Sequence, residues 1–297
     1  MTTTLEMPFQ LGEPRQVHSI TLTPLFPLRD PVCAYVSMDE AFEHGLEIGE
    51  VDEAGDVGML EVVNPLHVSV LLYDGEELKG AKQNRILNVS VLLAAGSRTR
   101  IPVTCVERGR WSWRDRRFSA AGHVVSPELR RHKAASLRAN ALSPRAAQMA
   151  VWQTVDRQLA HRGVDSATAA NADGFAARAT MIDDIAQKLA PEPGQCGVVA
   201  SLPGQAWCLD AVSRPDVFAR LYRKLVAGYV YDTLNEPGEP ASAADAVAAL
   251  QQCALARRPS AALGSDLRFE GKGMIASGLE VDGELVQISG YGEPACR

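Results

Sequence analysis

The sequence has no run of the roughly 18 apolar residues that a membrane-spanning helix requires, which argues against a chain threaded through a bilayer by helices. Its first residues, MTTTLEMPFQLGEPRQ, show neither a charged n-region nor an apolar h-region. No secretory signal is read there, and a cytoplasmic location is expected. Cysteine is sparse: the six, at 33, 105, 196, 208, 253 and 296, are scattered with no CxxC pair, so reduced thiols are expected rather than a disulfide framework. The six histidines, at 18, 44, 67, 123, 132 and 161, are equally dispersed. No Cys/His cluster has metal-ligand spacing, so neither a metal nor a cofactor is expected. GxSxG, a Walker-type loop and GxGxxG are all missing. No repeat period is present, and no low-complexity tract beyond an alanine bias.

What is there is an ordinary globular composition. Hydrophobic residues make up 46% of the 297 and charged residues 22%, with a mean hydropathy of −0.08. The charge is unevenly placed. Between Lys79 and Arg138 fourteen Lys and Arg stand against three acids, a net +11 that leaves −17 for the rest of a chain of net charge −6. A basic centre in an acidic protein points to a small anionic partner, or to a face that is only solvated or paired internally.

Periodicity divides the chain. Residues 18–113 read as β-rich, with turns at Ala54-Gly55, Asp74-Gly75 and Gly96-Ser97. Within them SMDEAFEHG predicts a short helix, with Ser37 as N-cap, Glu40 at the capping-box position and Gly45 as stop. Residues 126–257 read as mainly helical. Ser126-Pro127 and Ser143-Pro144 start helices, and Gln148, Val151, Trp152, Val155 and Leu159 form a stripe ending at Gly163. Phe175, Ile182, Ile185 and Leu189 mark another helix, residues 215–234 a third, and the alanine-rich 241–256 a fourth. A hairpin around Pro203-Gly204 interrupts them near 196–212, and NEPGEPAS (235–242) reads as a linker. Residues 265–291 predict two strands turned at Asp282-Gly283. The expectation is one α+β domain over 1–297: an antiparallel β-rich N-terminal half, a helical layer and a C-terminal β-hairpin.

The chemistry concentrates in GEELKGAKQNRILN, residues 75–88. Read as one straight strand, residues 82–93 place Lys82, Asn84 and Asn88 on one face and Gln83, Arg85 and Leu87 on the other, apolar and inward, face. The neighbouring strand IPVTCVERGRW turns Cys105 and Glu107 inward, so a partly buried Arg85–Glu107 ion pair is expected. On the opposite face Lys82, Asn84 and Asn88, with Arg108 and Arg110 from the next strand, suit phosphate or nucleotide-sugar oxygens, while Trp111 and Trp113 either stack on a ring or pack. Glu76 and Glu77 are the first candidates for acid/base chemistry, against a loop that merely exposes charge. Cys105, mid-strand among valines with no histidine near in sequence, reads as a buried thiol rather than a nucleophile. The Arg130–Lys133 cluster reads as a solvated helix face.

These residues carry a resemblance. Gly75 to Glu77, Gly80 to Arg85, Asn88, Ile101 to Glu107 and Gly109 to Trp111 resemble the motifs of the ADP-ribosylglycohydrolase and rhodanese/phosphatase-associated protein domain family. The likeness continues through 151–169 and 216–234, although this chain has Gln287 where similar proteins tend to have a His. What the resemblance implies is a setting in ADP-ribose and NAD metabolism, with no reaction attached. Taken with the residues, it leads to a cytosolic protein that binds, and in one version processes, a phosphorylated nucleotide or nucleotide-sugar. The alternative is a non-catalytic interaction or structural module, whose KQNR motif fixes the sheet's register or a homo-oligomer interface. The acidic remainder of the chain argues against nucleic acid.

Overall fold

The computed structural model describes residues 7–139, 143–202, 207–232 and 241–292. These residues form 18 strands and seven helices, an α+β fold whose strand pairs are all antiparallel except Tyr35–Ser37 with Ser69–Leu72. Two compact units are present: Met1–Ala34 with Ile182–Arg297, and Tyr35–Met181.

The first unit is built on a nine-stranded sheet. The strand Ile20–Pro27 pairs with Gly197–Ser201, and the sheet continues through Cys208–Val212, Glu284–Gly292, Met274–Val281 and Ser265–Gly271 to Ala254–Pro259. One face of the sheet buries Leu25, Val199, Leu209 and Ile288 with Ala246 and Leu250 of the helix Ala243–Gln251. Asp282 and Gly283 both have positive φ, 49° and 83°, as the two-residue turn predicted there requires. Two expectations fail at this end. The tail makes three strands rather than two, and the alanine-rich run leaves its helix at Gln251 to form the strand Ala254–Pro259. Six register pairs with Ser265–Glu270 outweigh alanine's helix propensity there. The expected helix through 175–189 is also broken, into Asn171–Ala176 and Ala179–Lys188. The Pro203-Gly204 turn and most of the 235–242 linker lie outside the described residues, but the strands flanking the turn pair as a hairpin.

The second unit contains a six-stranded and a three-stranded sheet. Ser37 caps the helix Met38–Glu43 by accepting from the Glu40 N–H at 3.2 Å, and Ser126 Oγ accepts from the Leu129 N–H at 3.3 Å. The predicted stripe of the helix Pro144–His161 packs Val151, Val155 and Leu159 against Ile86, Val106, Val125 and Leu129. Gln148 extends this contact: its side-chain amide exchanges two 2.8 Å hydrogen bonds with the backbone of Cys105.

Residues 82–93 are not one strand. Glu76–Gly80 and Arg85–Leu87 form a hairpin, with Glu77 opposite Ile86, and residues 81–84 are its turn. Val91–Leu93 pairs in the other sheet, with Ser69–Leu72. The turn demands unusual backbone, since Gly80 and Ala81 both have positive φ, 128° and 38°. A Cβ on Gly80 would stand 2.7 Å from the Arg117 carbonyl oxygen. Gly80→Ala is therefore expected to lower the unfolding free energy by about 2 kcal/mol or more. Urea unfolding of the variant checks this; an unchanged midpoint would mean that the turn tolerates a side chain.

Candidate functional site: a buried clamp beneath a tryptophan–arginine loop

The hairpin turn reverses the expected geometry of KQNR. Lys82, Gln83, Asn84 and Arg85 are all buried, and Asn88 is half-buried, so they do not present an open polar face. Lys82 Nζ donates to the carbonyls of Glu53 and Ala54. Asn88 Oδ1 accepts from Thr104 Oγ1 at 2.6 Å.

The expected Arg85–Glu107 pair does not form. The sheet sets Arg85 opposite Cys105, two residues short of Glu107. Arg85 Nη1 turns back to donate to the Gln83 carbonyl and side chain, at 3.0 and 3.1 Å. The nearest carboxylate to Arg85 among the described ion pairs is Glu50, 3.8 Å away and itself buried. The ring of Trp111 lies 5.4 Å from the guanidinium carbon. Cys105 sits beside this pair, and burial pushes its thiol up to about 11, so it is uncharged at neutral pH.

Glu107 instead takes Arg110. Arg110 Nε and Nη2 grip its two oxygens at 2.9 and 2.6 Å, a bidentate contact. Thr168 Oγ1 and the Asn84 N–H supply one further bond to each oxygen, at 2.9 and 3.0 Å. The rest of the guanidinium is spent on backbone: Nη1 donates to Ala81 O and Ser112 O, and Nη2 to Gly80 O and Asn84 Oδ1. Every N–H of Arg110 therefore has an acceptor, and none is left for an anion.

Asn84 passes the network inward. Its Nδ2 donates to Glu77 Oε1 at 3.3 Å, while Glu77 Oε2 accepts from His123 Nε2 at 2.9 Å and Asn171 Nδ2 at 2.7 Å. His123 stacks flat on Phe175, with centroids 3.7 Å apart. Glu76 is sealed too and accepts from the Tyr73 N–H at 2.8 Å. As adjacent strand residues the two glutamates point to opposite faces and do not meet as a carboxylate pair. The Arg130–Lys133 cluster also departs from expectation. Arg130 and Lys133 are fully buried, and Lys133 Nζ donates to Asp74 and to Leu87 O. The acid that draws them in is Asp74, in the turn that sequence periodicity identified only as a turn.

What remains exposed is the loop that Arg110 anchors, residues 108–117. Trp111 and Trp113 are 46% and 40% exposed, and Arg108, Arg114, Arg116 and Arg117 are exposed around them. Lys82 Nζ lies 5.5 and 5.0 Å from the two indole centroids. The Ser112 and Arg114 N–H groups donate back to Lys82 O and Ala81 O, at 3.2 and 2.9 Å. Arg108, Arg116 and Arg117 make surface ion pairs with Asp156, Glu53 and Glu47. Trp111 and Trp113, expected from the sequence to stack on a ring or to pack, are the two exposed indoles of RGRWSWRDRR.

The clamp sets two expectations. Arg110→Ala strands a buried carboxylate and should cost roughly 3–5 kcal/mol in chemical denaturation; a loss under 1 kcal/mol would show the network to be dispensable. The second concerns acid. Burial alone would push the Glu107 carboxyl up, but hydrogen bonds from Arg110, the Asn84 N–H and Thr168, with the Arg110 charge, outweigh it and hold the group below its ordinary 4.5. A carboxylate held low in the folded state contributes stability above its unfolded pKa and loses it as pH falls through the folded one. Unfolding free energy should thus drop more steeply below pH 4.5 in the wild type than in Glu107→Gln. Parallel slopes would remove Glu107 from the acid response.

No curated protein and no solved structure matches the chain significantly. Residues 8–291 match the ARG and rhodanese-phosphatase-superfamily-associated protein domain. The chain belongs to that family.

Proposed function

We propose that the loop 108–117 binds a phosphorylated nucleotide or nucleotide-sugar of the ADP-ribose/NAD type in the cytosol. In this reading Lys82, Asn84 and Arg110 serve the ligand by holding the loop rather than by touching phosphate, and Asn88, bonded to Thr104 and Pro102, takes no part. The single observation that carries it is a pair of exposed tryptophans set among arginines on a loop whose anchor is fully hydrogen-bonded. An indole face stacks on a nucleobase, and a guanidinium pairs with phosphate oxygens through two parallel N–H bonds. Arg114 and Arg116 follow Trp113, and the Arg116 guanidinium carbon lies 5.0 Å from the Trp113 ring, near enough for a base and a phosphate to be held together. Family membership adds a setting, because the family's name joins it to ADP-ribosylglycohydrolases. Glu76 and Glu77 are sealed from solvent, which favours a binding role over acid/base chemistry at this motif.

A second reading is favoured by the filled interior of the motif: a non-catalytic interaction module whose KQNR turn is a fold-stabilising network. Tryptophan fluorescence separates the two. ADP-ribose and NAD should quench emission saturably, and by calorimetry, since the variant lacks the reporting indoles, Trp111→Ala with Trp113→Ala should weaken binding by roughly 10- to 100-fold, the worth of one stacked base. An unchanged far-ultraviolet spectrum would show the double variant folded. No quenching by either ligand at millimolar concentration would leave the module reading.

A further inference from the structure

Within the Arg130–Lys133 cluster, His132 meets the neighbouring helix, Pro144–His161. Its Nδ1 lies 3.2 Å from both Thr154 Oγ1 and Arg157 Nη2, and its Nε2 lies 3.2 Å from Arg131 Nη2. The ring is thus set between two guanidiniums. The carboxylate that faces it is Glu128, one turn earlier on its own helix, with Oε1 4.0 Å from Nδ1. Glu128 is bonded across the helix pair: Arg157 Nη2 donates to Oε1 at 2.6 Å, and Gln158 Nε2 donates to Oε2 at 2.7 Å. Glu128 and Arg131 on its own helix and Arg157 on the other are the charged groups that act on the ring. A neutral imidazole carries one N–H, so one nitrogen can accept from a guanidinium. A protonated imidazole carries an N–H at both positions and accepts from neither. Its charge repels Arg131 and Arg157 and attracts Glu128.

We propose that protonation of His132 moves Glu128 from a bond between the two helices to a bond within one: the imidazolium takes the carboxylate, and Arg157 is released. The helix that loses this tie is the one that brings Lys133 to Asp74 and to Leu87 O, at the end of the KQNR hairpin. Burial first, and then the Arg131 charge, hold His132 below its ordinary 6.5, with Arg157 adding to them and Glu128 opposing. Burial alone would push the Glu128 carboxyl up. Hydrogen bonds from Gln158 and Arg157, with the charges of Arg157 and His132, outweigh it and hold the group below 4.5, so it is still a carboxylate when the imidazole titrates. A histidine held low in the folded state binds its proton more tightly in the unfolded chain. The stability that the neutral ring contributes is complete above 6.5 and is lost as pH falls from there to the folded value.

The test begins with an NMR titration of the full chain, in which the imidazole signal missing from His132→Asn identifies the ring. Its midpoint should lie below 6.5 and move up in Arg157→Ala, which removes a repelling charge. A double-mutant cycle on Arg157→Ala and Glu128→Gln, read from urea unfolding, then measures the tie between the helices one pH unit above and one below that midpoint. The three side chains are partly exposed, so the variants should keep the wild-type far-ultraviolet spectrum. The coupling should be present above the midpoint and fall by at least half below it. In His132→Asn it should be equal at the two pH values. A midpoint at or above 6.5, no coupling at either pH, equal coupling at both in the wild-type background, or the same loss in His132→Asn would each overturn the proposal.

Discussion

The contact between Arg110 and Glu107 is the constraint on which the exposed tryptophan–arginine loop of the second unit depends. One guanidinium holds a carboxylate through two parallel bonds and, with its remaining N–H groups, three backbone carbonyls drawn from two separate turns. Those carbonyls, Gly80 and Ala81 at the start of the hairpin turn and Ser112 within the exposed loop, tie the two together. Buried ion pairs are weak evidence for stability, because desolvation offsets much of the attraction. This one is different in kind, since each oxygen of Glu107 has a second donor and the pair sits inside a satisfied network rather than alone. Its contribution is position as much as free energy: it fastens RGRWSWRDRR to the hairpin turn through Gly80 O and Ala81 O.

Much of the architecture was legible in the residues. Ser37, Ser126 and Gly163 mark helix ends because capping is local chemistry, and Val151, Val155 and Leu159 form a buried stripe because helical spacing puts them on one side. The Asp282-Gly283 turn follows from the positive φ that only a few residues accept easily. The site was legible as a location and illegible as a geometry. Alternation along a straight strand assigned Lys82 and Asn84 to an open face, but Gly80 and Ala81 bend the chain first, and a bend cancels the alternation rule. The Arg85–Glu107 pairing failed by two residues of register, a distance that no propensity specifies. Glu50 and Thr168, which supply the missing contacts, are remote in sequence and carry no motif that singles them out.

The basic segment also changes meaning once it is folded. Of its cations, Lys82, Arg85, Arg110, Arg130 and Lys133 are committed to carbonyls and carboxylates in the interior or at its edge. The uneven charge seen in the sequence is therefore partly a record of interior pairing, with acids such as Asp74 lying outside the segment's limits. Four of the surface arginines, Arg108, Arg114, Arg116 and Arg117, surround two indoles in one loop, while Arg98, Arg100 and Arg138 are exposed outside it. Among the described residues no helix is long and apolar enough to cross a membrane.

The pairing of Ile20–Pro27 with Gly197–Ser201 has a consequence for synthesis. During translation the early strand leaves the ribosome roughly 170 residues before its partner, which at 5–20 residues per second is a wait of about 10 to 30 s. The 35–181 unit can complete itself in that interval, because its own sheets close within its own sequence. The waiting strand is a bare edge meanwhile, the kind of surface on which neighbouring nascent chains aggregate. Pro24 and Pro27 each remove one backbone donor from this strand, but Pro24 turns its backbone toward Gly12 and Pro27 lies beyond the register paired with Gly197–Ser201, so the edge that waits keeps its donors.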